Sequence, residues 1–234
     1  HATVRIALMQ KKNGKLQTYS WGSGTIISKD GLILTNCHVA DPVTYSEGED
    51  AAPDALVVEL IDTEDKPPVP MYFADLLASD GTLDLAIIKI TRKLDGSQVN
   101  PANLNLPVVP IGNSDTVRFG DPVYVFGFPS IGGQTITFSA GSVSGFDTMA
   151  PIGDRAWIKT DAVIAGGNSG GLATNTRAEL VGVPSRLGTS SATKFSDCRR
   201  LQDTNGDGKI DDKDSCIPLG GFINAIRPVN WALP

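Results

Sequence analysis

The chain has 234 residues, 41% of them hydrophobic, with 25 glycines and 15 prolines. It is long enough to bury a sizeable core, and its composition suits short strands joined by turns better than a helical bundle. A net charge of −6 with a pI near 4.9, and no basic run of five or more, disfavour a nucleic acid or an anionic membrane as partner. No apolar run approaches membrane-spanning length, so no membrane insertion is expected, and the absence of an initiator methionine or signal peptide reads as a processed or trimmed chain.

In chain order, six short apolar or alternating runs are expected as strands of the first half: 4–9, 24–27, 32–34, 55–60, 71–74 and 85–90. Lys29-Asp30-Gly31 is a hairpin signal between two of them. Residues 41–54 are acidic and poor in large apolar side chains, and 62–70 carries three prolines, so both read as surface loops. The first of these lies beside His38, where it either shapes the cleft or is simply solvated. Residues 97–110, with Pro101, Pro107 and Pro110, read as connection. The second half repeats the pattern, with strands expected at 122–128, 134–138, 141–145, 157–160, 180–183 and 221–226. The expected division is a first unit over 1–104, a connector over 105–119 and a second unit over 120–234 with an insertion at about 188–219.

Chemistry concentrates in Gly166-Gly167-Asn168-Ser169-Gly170-Gly171. Glycine permits turns closed to other residues and close approach of a substrate to the main chain, so Ser169 can be presented beside inward-pointing amides. The N–H groups of Gly167 and Ser169 are the candidate oxyanion donors, each contributing about 3 kcal/mol in such sites. Taken alone, the string also fits a glycine turn with a surface serine. A serine hydroxyl needs a base, and of the two histidines His1 is the first residue, which leaves His38, where the apolar run 32–34 breaks into a polar turn. Asp84, at the mouth of the run 85–90, is the candidate partner that fixes the imidazole tautomer. The order His, Asp, Ser is that of chymotrypsin-type enzymes and differs from subtilisins and α/β-hydrolases.

Gly22-Ser23-Gly24-Thr25-Ile26-Ile27 leading into Thr35-Asn36-Cys37-His38-Val39, then Asp84-Leu85-Ala86, then Thr160-Asp161-Ala162 before Gly167-Asn168-Ser169-Gly170-Gly171, resembles the trypsin-like serine proteases of the HtrA/Deg type. Ile111-Gly112-Asn113-Ser114-Asp115 and the run 120–144 look like the same family. The resemblance implies an all-β fold of two six-stranded antiparallel barrels, the site in the cleft between them, and peptide-bond hydrolysis through His38, Asp84 and Ser169. The chain departs from the pattern at Leu172, where the family has proline, and at Cys37, where an asparagine is common.

The resemblance also places the specificity pocket: Val163 and Ile164 before the nucleophile, the strand end Ser185-Arg186-Leu187, and the region of Gly221 to Asn224. Val163 stands where proteases that prefer basic residues carry a buried acid. A charged side chain desolvated there without a partner costs several kcal/mol, so cleavage after small or medium aliphatic residues is expected. Arg186 either meets an acidic group or is a solvated surface arginine. The segment 185–187 is expected to pair with extended, unfolded polypeptide as an added strand.

Residues 203–214 follow a twelve-residue calcium loop, with Asp203, Asn205, Asp207, Asp211 and Asp214 at the side-chain ligand positions, Lys209 at the main-chain position and Gly208 at the sharp turn. The pattern resembles dockerin and EF-hand loops, though it ends in Asp214 where a bidentate glutamate is usual. A single structural Ca²⁺ is expected, with no organic cofactor; the alternative is an acidic disordered loop. Cys198 and Cys216 bracket it. A disulfide between them would close a loop of about 19 residues, contributing about 3 kcal/mol, and would imply an extracytoplasmic, oxidising compartment; the alternative is a pair of reduced thiols. Cys37 reads as a small buried filler.

Three classes of function therefore stand open: a secreted or periplasmic endopeptidase, a binding module that keeps the protease fold with a closed cleft, and an esterase using the same triad. Trimers occur in the family, but no interface can be read here.

Overall fold

A computed structural model describes residues 1–186, 198–200, 202–204, 206–211, 213–215, 217–218 and 223–232. The first half forms β1 (Thr3–Lys12), β2 (Lys15–Ile26), β3 (Leu32–Thr35), α1 (Cys37–Ala40), α2 (Pro42–Tyr45), β4 (Ala55–Leu60), β5 (Val69–Asp80) and β6 (Leu85–Lys93). Its six strands close a barrel in the order β1-β2-β3-β6-β5-β4, every pairing antiparallel. Alternation fills it: Val4, Ile6 and Leu8 of β1 meet Ile26, Ile33, Val58, Ile88 and Ile90 inside. Between them Arg5 points outward and pairs with Glu59 of the neighbouring strand.

The second half forms β7 (Pro122–Gly127), β8 (Thr137–Met149), β9 (Gly153–Thr160), β10 (Leu172–Thr174), β11 (Leu180–Arg186), β12 (Cys198–Arg199), β13 (Ile217–Pro218) and β14 (Asn224–Pro228). A second antiparallel barrel closes in the order β10-β11-β14-β9-β8-β7 around Val123, Val125, Val143, Ile158, Val181 and Ile226. The short pair β12–β13 lies outside it, in the connection between β11 and β14.

The two barrels share a third core made of Leu34, Leu85, Val109, Leu172, Leu180, Val183 and Val229. Leu34 lies in β3 ahead of His38, Leu85 follows Asp84, and Leu172 follows the serine turn. One buried apolar cluster thus collects the three strand ends that carry the candidate chemistry, at about 2 kcal/mol for each fully buried leucine.

Two-barrel architecture agrees with the expectation, but the strand list needs correcting. The runs 134–138 and 141–145, expected as two strands, belong to one strand, β8, beginning at Thr137, and the sixth strand is the three-residue β10. Ser139 and Ala140, expected to separate two strands, continue β8, and Gly141 within it packs so closely that a Cβ there would collide with the main chain of Ala162. Strands β2 and β5 run to 12 residues each, well beyond 24–27 and 71–74, since their exposed portions carry no apolar pattern. The expected surface loop 41–54 opens with α2, whose first turn holds Pro42 and whose Thr44 N–H donates to the Asp41 side chain.

Candidate active site

Of the four residues of α1, Cys37, Val39 and Ala40 are buried, so the turn after β3 leaves His38 as its one side chain facing the cleft, 27% exposed. Asp84 sits at the entry of β6 in a left-handed conformation, φ 55°, and is 1% exposed. Its carboxylate lies 2.9 Å (Oδ1) and 3.0 Å (Oδ2) from His38 Nδ1, and Oδ1 also accepts the His38 main-chain N–H at 3.1 Å. Asn36 Nδ2 donates to the Asp84 carbonyl oxygen at 2.7 Å, and the Ser185 hydroxyl donates to Asp84 Oδ2 from the other barrel. With Nδ1 against an acceptor-only carboxylate, the ring proton belongs on Nδ1 and the Nε2 lone pair is available to take a proton. The Tyr45 ring packs on the imidazole at 5.3 Å.

The serine turn is built from positive φ and close approach. Gly167 (φ 97°) could not carry a Cβ without striking the Phe128 carbonyl oxygen; at Gly170 (φ 82°) a Cβ would strike Thr35 Oγ1 and the Ser23 carbonyl oxygen and stand 3.1 Å from Asn36 N. The turn therefore docks on the residues that lead into His38. Asn168 N–H donates to the Ala165 carbonyl at 3.0 Å and Gly171 N–H to that of Asn168 at 2.9 Å. Ser23 of β2 clamps the turn from the first barrel: its N–H donates to the Ser169 carbonyl at 2.8 Å and its hydroxyl to the Gly167 carbonyl at 2.7 Å. Thr35 Oγ1 in turn donates to the Ser23 carbonyl at 2.7 Å, and Gly170 N–H to the Pro184 carbonyl at 3.0 Å.

Among the described residues no group accepts the N–H of Gly167 or of Ser169, and no hydrogen bond joins His38 Nε2 to Ser169 Oγ. Catalytic hydrogen bonds commonly tighten only when substrate is bound.

Val163 is 64% exposed beside the turn and Ile164 is buried. Ser139 Oγ donates to the Val163 carbonyl at 2.7 Å. Asn224 is turned inward: its Nδ2 donates to the Ala162 carbonyl at 2.8 Å, which braces the segment before the nucleophile from beneath. Ser185 also points inward, to Asp84, so only its main chain is free for strand pairing. Arg186 pairs through its backbone with Ala225, while Leu187 and Gly221 lie outside the described residues.

Two contributions escaped the sequence reading. Ser185 lies 101 residues from the carboxylate it bonds, so no local signal marks it. Arg227 is fully buried, its guanidinium 3.4 Å from the Trp157 ring centroid and its Nη1 donating to the Ala156 carbonyl at 2.7 Å; a basic residue in an apolar strand was the available clue.

In the acidic loop, Asp203 accepts the N–H groups of Gly206 and Gly208 at 2.7 and 2.8 Å, and Asp214 those of Thr204 and Asp211 at 2.7 and 2.8 Å. Asp207 and Asp211 accept N–H groups two residues on. Asn205 lies outside the described residues, as does Cys216 and hence the expected Cys198–Cys216 bridge. Among the described residues no three His, Cys, Asp or Glu groups gather closely enough to hold a metal. Cys37 is a free, buried thiol whose pKa burial pushes up to about 12, which suits a filler and not a nucleophile. No helix among the described residues is long and apolar enough to cross a membrane.

Residues 22–183 match the family model described as a trypsin-like peptidase domain. The chain is 34% identical over 171 residues to the serine endoprotease DegS of Salmonella typhimurium, a match covering 73% of this chain and 41% of that protein. It is 34% identical over 182 residues to a probable periplasmic serine endoprotease DegP-like of Hahella chejuensis (77% and 33% covered), and 34% identical over 176 residues to DegS of Escherichia coli K12 (75% and 42%). The match spans roughly a third to two fifths of the length of these relatives.

Proposed function

Because this chain belongs to the trypsin-like peptidase family, we propose that it is an extracytoplasmic serine endopeptidase acting through His38, Asp84 and Ser169 on extended polypeptide. The observation that carries the reading is the pairing of Asp84 with His38 Nδ1 at 2.9 Å while the serine turn docks on Thr35 and Asn36. The Ser169 hydroxyl attacks the scissile carbonyl and gives its proton to His38 Nε2. Asp84 keeps the Nδ1 proton in place and stabilises the imidazolium without itself taking a proton. The N–H groups of Gly167 and Ser169 receive the oxyanion. His38 then protonates the leaving nitrogen, and a water hydrolyses the acyl-enzyme by the same steps.

Val163, exposed beside the turn, offers an apolar side chain, which supports cleavage after small or medium aliphatic residues. The edge of β11 at Ser185 and Arg186 supports pairing with an extended chain. Calcium at 203–214 rests on ligand spacing and on hard oxygen donors suited to that cation. Asp203, Asp207, Asp211 and Asp214, with Asn205 and the Lys209 carbonyl, would hold it, and the ion would brace the connection between β11 and β14.

The missing Ser169–His38 hydrogen bond favours one rival, a binding module that keeps the fold without turnover. A fluorophosphonate probe separates the two. Labelling of Ser169 that is lost in His38→Ala, together with cleavage of unfolded casein reduced about 10⁴-fold or more in that variant, is the expected result. An unlabelled, folded wild-type protein that binds casein without cutting it would overturn the hydrolase reading.

A further inference from the structure

We propose that a cavity of about 270 Å³ beside His38 receives a side chain from the leaving-group half of the substrate, and that Asp50 makes it select lysine or arginine. This rests on the hydrolase reading and names a specificity determinant for it. The cavity is walled by Leu8 of β1, Tyr19 of β2, Pro42 of α2 and the loop residues Asp50 and Ala51, with His38 at its edge. No residue of the second barrel lines it. The acyl half of a substrate lies along β11 of that barrel, so the half that departs must leave across the first barrel, past the imidazole that protonates its nitrogen. The cavity opens on that route.

Its volume corresponds to about nine waters, enough for one long side chain. Leu8, Pro42 and Ala51 offer apolar surface to an aliphatic stem, and Asp50 offers a charge to its head. Asp50 is the one carboxylate in the wall, no Lys or Arg joins it there, and among the described residues it has no ion pair. The fold fixes its position. Asp50 N–H donates to Ser46 Oγ at 2.8 Å, Ser46 Oγ donates to the Pro42 carbonyl at 2.8 Å, and Asp54 N–H ties the far end of the loop to the Met9 carbonyl at 2.9 Å. The Tyr19 phenol has its pKa raised, first by burial and then by the Asp50 and Asp54 carboxylates, which places both charges close to the wall.

The test measures peptide binding to Ser169→Ala protein and, in parallel, kcat/KM of the wild type. The peptides share one aliphatic residue before the cut and carry Lys, Arg, Gln or Glu at each of the first three positions after it. At one of those positions Lys and Arg are expected to exceed Gln by about fivefold at low salt, the scale of an exposed ion pair, with the ratio shrinking in 0.5 M NaCl. Asp50→Asn brings the ratio near one, Asp50→Lys turns the preference toward Glu, and Glu49→Gln, in the same loop but outside the wall, leaves it in place. A ratio near one at all three positions, or one that Asp50→Asn does not move, overturns the proposal. Selective binding without any hydrolysis would remove the hydrolase reading and leave the subsite standing; hydrolysis without selectivity would do the reverse.

Discussion

The serine turn and the acidic loop at 203–214 are both glycine-bearing turns of the second half whose main-chain N–H groups are hydrogen-bonded, but they are held in different ways. Around Ser169 the anchors come from outside: Ser23 and Thr35 of the first barrel, Pro184 of β11 and Ser130 all contribute. In the acidic loop the carboxylates of Asp203, Asp207, Asp211 and Asp214 accept N–H groups from within the loop itself, and Arg200 Nε donates to the Asp214 carbonyl at 3.2 Å. A turn pinned from two barrels is preorganised by folding. Among the described residues the acidic loop's hydrogen bonds instead run mostly between its own carboxylates and its own N–H groups, and the proposed calcium ion would act on that loop.

That contrast can be broken at several points. The largest effect is expected for Gly170→Ala, which forces a Cβ against Thr35 Oγ1 at a φ of 82°. A displacement of the nucleophile by about 1 Å costs about a hundredfold in kcat/KM, so steady-state cleavage of an aliphatic peptide should fall at least that far. Ser23→Ala removes the hydroxyl that donates to the Gly167 carbonyl and accepts the Phe128 N–H. It should lower stability by about 1–3 kcal/mol, read from urea unfolding, and kcat by about tenfold, with little change in KM.

Excess chelator should act on the other turn, lowering the melting temperature by about 2–4 °C per kcal/mol of calcium binding while leaving fluorophosphonate labelling of Ser169 largely intact. A melting curve that chelator does not shift would remove calcium. The smallest effect concerns the thiols. Alkylation without reductant should modify nothing in the native protein at pH 8, where Cys37 is protonated and buried, and only Cys37 in denaturant, by peptide mapping. Labelled Cys198 or Cys216 would rule out the Cys198–Cys216 bridge expected from the sequence.

The same contrast explains what could be read from the sequence. The candidate site was legible because its residues sit in dense local strings, Thr35-Asn36-Cys37-His38, which ends β3, and Gly167-Asn168-Ser169-Gly170-Gly171, which leads into β10, both strands feeding the shared core. Barrel strands with alternating interiors, such as β1, β4 and β6, were legible for the same reason of period. β10 was not, since three residues after a glycine turn display no period. β8 is not legible as one strand, since the small residues Ser139 and Ala140 interrupt its apolar pattern, while Gly141 serves close packing against Ala162. Ser185 and Asn224 act through contacts about 60 to 100 residues away in sequence that no local pattern announces, whereas Arg227 carries a local clue, a basic residue in an apolar strand.

The hydroxyl of Ser185 belongs to one barrel and the carboxylate it supports belongs to the other. Placement of the proposed general base is thereby tied to how the two halves of the molecule sit together. A wedge that pried the cleft open by an ångström would silence turnover while each barrel stayed intact, so loss of reaction rate would report on domain docking well before any melting signal changed.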